Sequence, residues 1–301
     1  MTAAGPVGFL GLGAIGGPMA RNLAAGGFRV LGYDVAEPAR WASAPIEPAR
    51  SVAAVAQGTE LVLMSLPDAS AVRGALNEML GTADRRVKAV IDLSTIGVTA
   101  AREFAARLDA AGIAYVDAPV SGGVSGARDR KLSVMCACPE HVFPAVKPVL
   151  DAFAGRVFHV GETPGQGQAL KLLNNFLSAS ALAATSEAVL FGLANGLDMT
   201  TMIEVLKVSS GRNSAVDDKF PNHIASGRYD SGFRNNLMAK DVGLYAREAE
   251  QAGCHGEIGR LVERIWRAFG DASPGQDFTA IFEFVKQLQE RTPRSGGRNR
   301  S

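Results

Sequence analysis

Apolar residues in the first half of the chain gather into short runs rich in branched side chains: Val7 to Leu10, Arg29 to Tyr33, Leu61 to Leu66, Val87 to Leu93 and Ile113 to Val116. Between them lie segments of helical character, such as Pro18 to Ala25 and Thr99 to Ala111. Near-continuous apolar strands alternating with amphipathic helices predict a doubly wound α/β domain whose parallel sheet is covered on both faces. Leu132 to Cys136 and Val157 to Val160 extend that sheet beyond a loop expected at Ser121 to Gly126. Past Gly161 the pattern changes. Gly161 to Gly167, with Pro164, punctuates the chain. A long apolar helix, mostly buried, is expected over Gly167 to Gly192. Helical spacing recurs in Met199 to Val208, Leu237 to Ala252, Glu257 to Phe269 and Phe278 to Leu288. The division is therefore an α/β domain over 1–163 and an all-α domain over 164–291, joined by a long interdomain helix. A tail over 292–301, TPRSGGRNRS, has no apolar residue and is expected to be disordered.

One turn gives the first domain a ligand. Gly11, Leu12, Gly13, Ala14, Ile15 and Gly16 follow a strand and open a helix, the context in which three glycines at this spacing read as a Rossmann-type dinucleotide fingerprint. Gly11 allows the tight turn, Gly13 the approach of a pyrophosphate, and Gly16 close packing of helix on sheet. The phosphates then meet a helix N-terminus. Asp34, eighteen positions after Gly16 at the end of the next strand, is placed to accept the ribose hydroxyls and to repel a 2′-phosphate. Its plainer role is to cap a turn. Arg40 is not an obvious phosphate clamp, so NAD is expected ahead of NADP.

A second feature is Lys171, set in the long apolar helix with Asn174 and Asn175 three and four positions later, on neighbouring turns of one face. A buried ammonium must be paired, neutral or catalytic. Beside a dinucleotide site, Lys171 reads as the proton-transfer group of an oxidoreductase. Burial and a nearby cation would bring its titration toward neutrality, whereas a free lysine titrates roughly three units higher.

Composition removes several function classes. A net charge of +1, with local basic character confined to the tail, gives no argument for nucleic acid or a membrane surface. Polar interruptions such as Lys171, Asn174 and Glu187 favour an interior helix over a membrane span. The N-terminus lacks a signal peptide's basic segment and long apolar core, so a cytoplasmic protein is expected. Cys136, Cys138 and Cys254 make no even set and are expected to be reduced, structural thiols. His141, His159, His223 and His255 are scattered, and no metal is expected.

Several ordered segments resemble the β-hydroxyacid dehydrogenases, the family that includes 3-hydroxyisobutyrate dehydrogenase, tartronate semialdehyde reductase and, more distantly, 6-phosphogluconate dehydrogenase. They are the glycine turn extended by Pro18 to Leu23, Leu66-Pro67-Asp68, Asp92 to Thr95, Asp117 to Gly123, Gly165 to Asn175, and Lys240-Asp241. The resemblance implies that Leu66, Pro67 and Thr95 line the cofactor, that Lys240 approaches it, and that Phe233 stands near the substrate unless it belongs to the core. It also implies a homodimer or homotetramer. Ser121, Gly122 and Gly123 offer a hydroxyl and two unobstructed backbone N–H groups, which suit a small carboxylate. Asn175 is placed to bond that carboxylate or the reacting oxygen.

The expected function is NAD-dependent hydride transfer on a short 3-hydroxy acid resembling 3-hydroxyisobutyrate, with Lys171 as general acid and base. An NADPH-dependent reductase of a semialdehyde, glyoxylate or tartronate semialdehyde is the alternative. An imine reductase or a non-catalytic nucleotide-binding protein would have no need of Lys171. Arg128-Asp129-Arg130-Lys131 departs from the resemblance, either as a solvated basic turn or as an added anion contact.

Overall fold

A computed structural model describes residues 5–36 and 45–291. The expected tail at 292–301 and Arg40 lie outside them. The chain divides into two compact units between Leu173 and Asn174.

In the first unit, strands β1 (Val7–Leu10), β2 (Val30–Tyr33), β3 (Ile46–Pro48), β4 (Leu61–Met64), β5 (Ala89–Asp92) and β6 (Ala114–Asp117) alternate with helices α1 (Gly16–Ala25), α2 (Val52–Gly58), α3 (Ala69–Gly81) and α4 (Val98–Asp109). These strands are all parallel, in the order β3-β2-β1-β4-β5-β6. Strand order reverses between β1 and β4, which is where the loops leaving the carboxyl ends of such a sheet open a ligand crevice. The pleat explains why the strands are apolar on both sides. Phe9, Leu63 and Ile91 enter one core with Met19 and Leu23, whereas Leu10, Val62, Met64 and Val90 enter the other with Leu76 and Phe104.

Beyond β6 the expectation of a parallel sheet fails. β8 (Leu132–Ala137) runs antiparallel to β6 and to β7 (Val120–Ser121), and β9 (Ala154–Gly161) then pairs parallel with β8 across helix α6 (Phe143–Asp151). The cause lies in the connection. Between β7 and β8 the segment expected as a loop forms α5 (Gly123–Arg128), a six-residue helix too short to carry the chain back to the starting edge. Gly122 makes the entry to α5 possible, with φ of +133°, a conformation that L side chains rarely adopt, and a Cβ there would stand a tight 3.1 Å from Leu132 Cδ2.

Helix α7 (Gln166–Ala194), 29 residues long, crosses the division between the units. The second unit continues with α8 (Met199–Lys207), a π-helical segment (Ala215–Ile224), α9 (Asn235–Gln251), α10 (Glu257–Ala272), a 3-10 turn (Phe278–Ala280) and α11 (Ile281–Arg291). Its core gathers Leu182, Phe220, Val242, Trp266, Phe269 and Phe282, and Trp266 Nε1 donates to Ala179 O at 3.2 Å. The π-helical segment contains Pro221, which has no N–H to give, and the backbone there winds in the wider register.

Helix α7 is less buried than its composition predicts. One face carries Leu173, Leu177 and Phe191, which are 41%, 60% and 71% exposed. By length and hydropathy it could cross a membrane, so burial and polar content have to decide. Gln168, Lys171, Asn175, Thr185 and Ser186 are all buried along it.

Candidate active site

The glycine turn folds as its spacing requires. Gly11 has φ of +89°, and a Cβ there would stand 2.3 Å from Ser65 O. At Gly16 a Cβ would lie 1.9 Å from Gly11 O. Gly13 differs, since a Cβ there would meet no protein atom within 4 Å. The space above Gly13 is therefore open to a ligand, and the turn fits the dinucleotide that its pattern implies. Asp34 follows β2 directly, with both oxygens engaged. Oδ2 accepts the N–H of Leu12 at 2.6 Å, and Oδ1 accepts that of Ala36 at 2.7 Å. The carboxylate thus holds the turn from below, and each oxygen retains a lone pair for a ribose hydroxyl.

Leu66 follows β4, with its N–H donated to Ser94 Oγ at 2.9 Å, and Pro67 is exposed beside it. Thr95 follows β5 and is half-buried. Asp68 has a structural task, accepting the N–H of Ala71 at 2.9 Å as the cap of α3.

At the carboxyl ends of β5 and β6 lies a polar cluster to which sequence reasoning assigned no role. Asp92 and Asp117 are neighbours in register and have no exposed surface. Asp92 Oδ1 accepts the N–H of Ser94 at 2.9 Å, and Oδ2 accepts the Tyr115 hydroxyl at 3.1 Å. Burial pushes the Asp92 carboxyl up to about 7 and also raises that of Asp117. The signal available in the sequence was an Asp closing each of two adjacent apolar strands. Gln168, in the first turn of α7, joins the cluster by hydrogen bonds to Asp117 and to Ser94 O. Lys171, one turn further along α7, is buried, with 8% of its surface exposed.

Ser121 ends β7 half-buried, and Gly122 and Gly123 open α5, where the first N–H groups of a helix have no intrahelical acceptor. Arg130, with φ of +56°, and Lys131 are exposed, as a solvated turn would be. Cys136 and Cys138 are buried free thiols with sulfurs 3.8 Å apart, and Cys254 is exposed. Among the described residues no group of three or more His, Cys, Asp or Glu side chains could hold a metal ion.

In the second unit, Asn175 is buried, and its Nδ2 donates to Asp241 Oδ2 at 2.6 Å while its Oδ1 accepts from Asn174 Nδ2 at 3.1 Å. The amide expected to face a ligand is thus oriented by the protein, leaving one N–H of Nδ2 to offer. Lys240 Nζ lies 3.2 Å from Asp241 Oδ1 without the geometry of a hydrogen bond, so that buried oxygen is served by charge alone. Phe233 packs edge-on against Phe278, with ring centroids 5.6 Å apart, and its carbonyl accepts the N–H of Phe278 at 2.7 Å. It is half-buried, packed against the edge of the helical core.

Comparison with known proteins agrees with this architecture over most of the chain. Residues 6–161 match the family described as the NAD-binding domain of 6-phosphogluconate dehydrogenase, and residues 165–285 that described as NAD-binding of NADP-dependent 3-hydroxyisobutyrate dehydrogenase. The chain is 36% identical to 2-(hydroxymethyl)glutarate dehydrogenase of Eubacterium barkeri over 84% of its own length and 83% of that protein's. It is 35% identical to 3-hydroxyisobutyrate dehydrogenase of Pseudomonas aeruginosa, over 91% of this chain and 96% of that one. A solved Mycobacterium tuberculosis 3-hydroxyisobutyrate dehydrogenase, in a structure with L-serine, superposes with a TM-score of 0.86 at 31% identity, covering 95% of this chain and all of that one. The chain belongs to the 3-hydroxyisobutyrate dehydrogenase-like β-hydroxyacid dehydrogenases, in the 6-phosphogluconate dehydrogenase superfamily, and is an NAD(P)-dependent 3-hydroxyacid dehydrogenase.

Proposed function

We propose that the enzyme oxidises a short 3-hydroxy acid resembling 3-hydroxyisobutyrate, prefers NAD, and uses Lys171 as its general acid and base. The burial of Lys171 in α7 carries this proposal. A lysine amine kept from water one turn beyond the polar cluster at the strand ends is placed to exchange a proton with a bound alcohol. In oxidation, Lys171 Nζ takes the proton from the β-hydroxyl as the same carbon gives up its hydride and the carbonyl forms. In reduction, Nζ returns the proton to the carbonyl oxygen. Nicotinamide dinucleotide, when bound, supplies the hydride acceptor or donor. Gly11 to Gly16 hold its pyrophosphate, Asp34 its ribose hydroxyls, and Leu66, Pro67, Thr95 and Lys240 line the remainder.

The substrate carboxylate is assigned to Ser121 Oγ and to the N–H groups of Gly122 and Gly123, with Asn175 contributing the second N–H of Nδ2. A dicarboxylic relative and a monocarboxylic one are almost equally similar to the chain. The exposed turn at Arg130 and Lys131 adds no buried cation for a second acid group, which favours the smaller substrate. The exposed Leu173, Leu177 and Phe191 face of α7 suits a homodimer or homotetramer, and the polar residues buried along the same helix suit a soluble, cytosolic enzyme.

Initial rates with 3-hydroxyisobutyrate, 2-(hydroxymethyl)glutarate, serine and glycerate, each with NAD and NADP, test the assignment. The highest kcat/KM is expected for 3-hydroxyisobutyrate with NAD. Preference for the dicarboxylic acid would overturn the substrate, and preference for NADP the cofactor.

A further inference from the structure

In the first turn of α7, one side chain has every hydrogen-bonding position in use. Gln168 Oε1 accepts the N–H groups of Ile96 at 2.9 Å and Gly97 at 3.2 Å, and its Nε2 donates to Ser94 O at 3.0 Å and Asp117 Oδ1 at 2.9 Å. A primary amide has two donors and two acceptor positions, so these four partners exhaust it. Asp117 Oδ2 in turn accepts the N–H groups of Gly165 at 2.8 Å and Gln168 at 3.2 Å. A carboxylate at the end of β6 therefore caps α7 from the sheet, with its charge at the positive end of the helix dipole. Neither side chain has exposed surface.

Two glycines permit this seating. A Cβ on Gly167 would stand 2.6 Å from Met135 O and 3.0 Å from Asp117 Cγ, and Gly165 holds φ of +95° with a Cβ only 2.9 Å from Val98 Cγ1. The helix start is pressed against the strand ends, and Gln168 and Asp117 are the polar joint between them. Stability alone would not call for that joint, since an apolar pair of similar volume avoids burying a carboxylate. Direction is what the joint adds. It fixes the turn at Ser94 to Gly97, which contains Thr95, and the first turn of α7, from which Lys171 follows three residues later.

We propose that Gln168 and Asp117 are positioning residues for proton transfer, their mutual hydrogen bond setting where Lys171 stands relative to the turn around Thr95. The proposal rests on the assignment of Lys171 as the acid–base group.

Exchange of the two groups tests it. Gln168→Glu alone opposes two carboxylates. Asp117→Asn alone turns an N–H toward other donors in either orientation of the amide. When the two changes are combined, the new amide at position 117 can donate to the new carboxylate at position 168 and its oxygen still accepts from the helix, so that of the original bonds only the one to Ser94 O is lost, which makes the recovery partial. Each single change is expected to lower kcat about a hundredfold, the scale of a small misplacement of a reacting group, with the Kd for NAD held within about threefold. The paired change is expected to regain at least tenfold of the lost kcat. Singles that turn over at the native rate would overturn the proposal, as would three folded variants that are equally slow. If the singles fail to fold, a paired variant that folds and turns over supports the proposal, and one that folds without activity overturns it. If none folds, the two residues serve the fold and the proposal is wrong. Lys171→Met, measured in parallel, separates the two assignments. Turnover by that variant would remove the role of Lys171 itself, whatever the exchange shows.

Discussion

Asp34 holds the dinucleotide turn through Leu12, whose backbone N–H it accepts at 2.6 Å. One carboxylate can thus shape the turn and select the ribose. Asp34→Ser removes the negative charge that disfavours a 2′-phosphate and weakens the grip on the ribose hydroxyls. We expect kcat/KM with NAD to fall about tenfold to a hundredfold, the worth of a charge-assisted hydrogen bond, and kcat/KM with NADP to rise. Steady-state kinetics with both cofactors would show it, and an unchanged ratio would contradict it.

Gly13 and Gly16 should respond differently to the same change. Gly13→Ala meets no protein atom within 4 Å, so thermal unfolding should be unchanged while NAD affinity drops about tenfold or more. Gly16→Ala places a Cβ 1.9 Å from Gly11 O, a backbone atom that cannot move alone, and should cost several kcal/mol, ~2–4, of stability. Calorimetric unfolding with and without NAD distinguishes the two. Equal destabilisation by both would contradict the geometry of the turn.

Much of this architecture was legible in the sequence, and the failures have physical causes. Parallel strands β1, β2, β4, β5 and β6 and the glycine turn follow from local pattern, since a strand buried on both faces must be apolar throughout, whereas β3, at the sheet edge with Glu47 and Pro48 exposed, has no such run and was not expected. The antiparallel β8 does not, because its direction depends on how far α5 carries the chain. Nor does the joint of Gln168 and Asp117, whose partners are 51 positions apart and meet only through strand register and helix seating. Asn175 was recognisable as a polar group on the buried face of α7, but the loan of one of its N–H bonds to Asp241, 66 positions later, was not. Phe233 shows the opposite limit. An aromatic residue beside a glycine reads equally as a substrate contact or as core, and half-buried packing on Phe278 is compatible with both.

The bond from Asn175 to Asp241 gives a second functional prediction. Asp241→Asn exchanges a charge-assisted acceptor for an amide and frees Asn175 to rotate. Turnover should fall about tenfold or more, the worth of such a bond, and thermal stability should fall modestly because Lys240 loses its charged partner. A loss of stability without loss of kcat would show that the pair serves the fold.

Asp92 makes stability depend on pH. Its carboxyl is raised from 3.8 to about 7, chiefly by burial. Between those values an unfolded chain gives up the proton while the folded protein keeps it, so the unfolded state binds fewer protons. Stability from this group is therefore complete below about pH 4, declines up to about pH 7 and then levels, a total of roughly 4 kcal/mol at ~1.4 kcal/mol per unit. Asn at this position can keep both bonds, accepting from Ser94 and donating to the Tyr115 oxygen. Asp92→Asn should accordingly raise the unfolding midpoint at pH 8 and leave it nearly unchanged at pH 4. The same change at both pH values would rule out a carboxyl raised by burial.

The central claim is that Lys171 moves the proton, and pre-steady-state and steady-state turnover of Lys171→Met tests it most directly, with NAD affinity and thermal unfolding measured on the same preparation. Loss of kcat by about a thousandfold, within the range of a general acid–base group, is expected with NAD affinity kept and the variant folded. Native turnover by the folded, NAD-binding variant would contradict it.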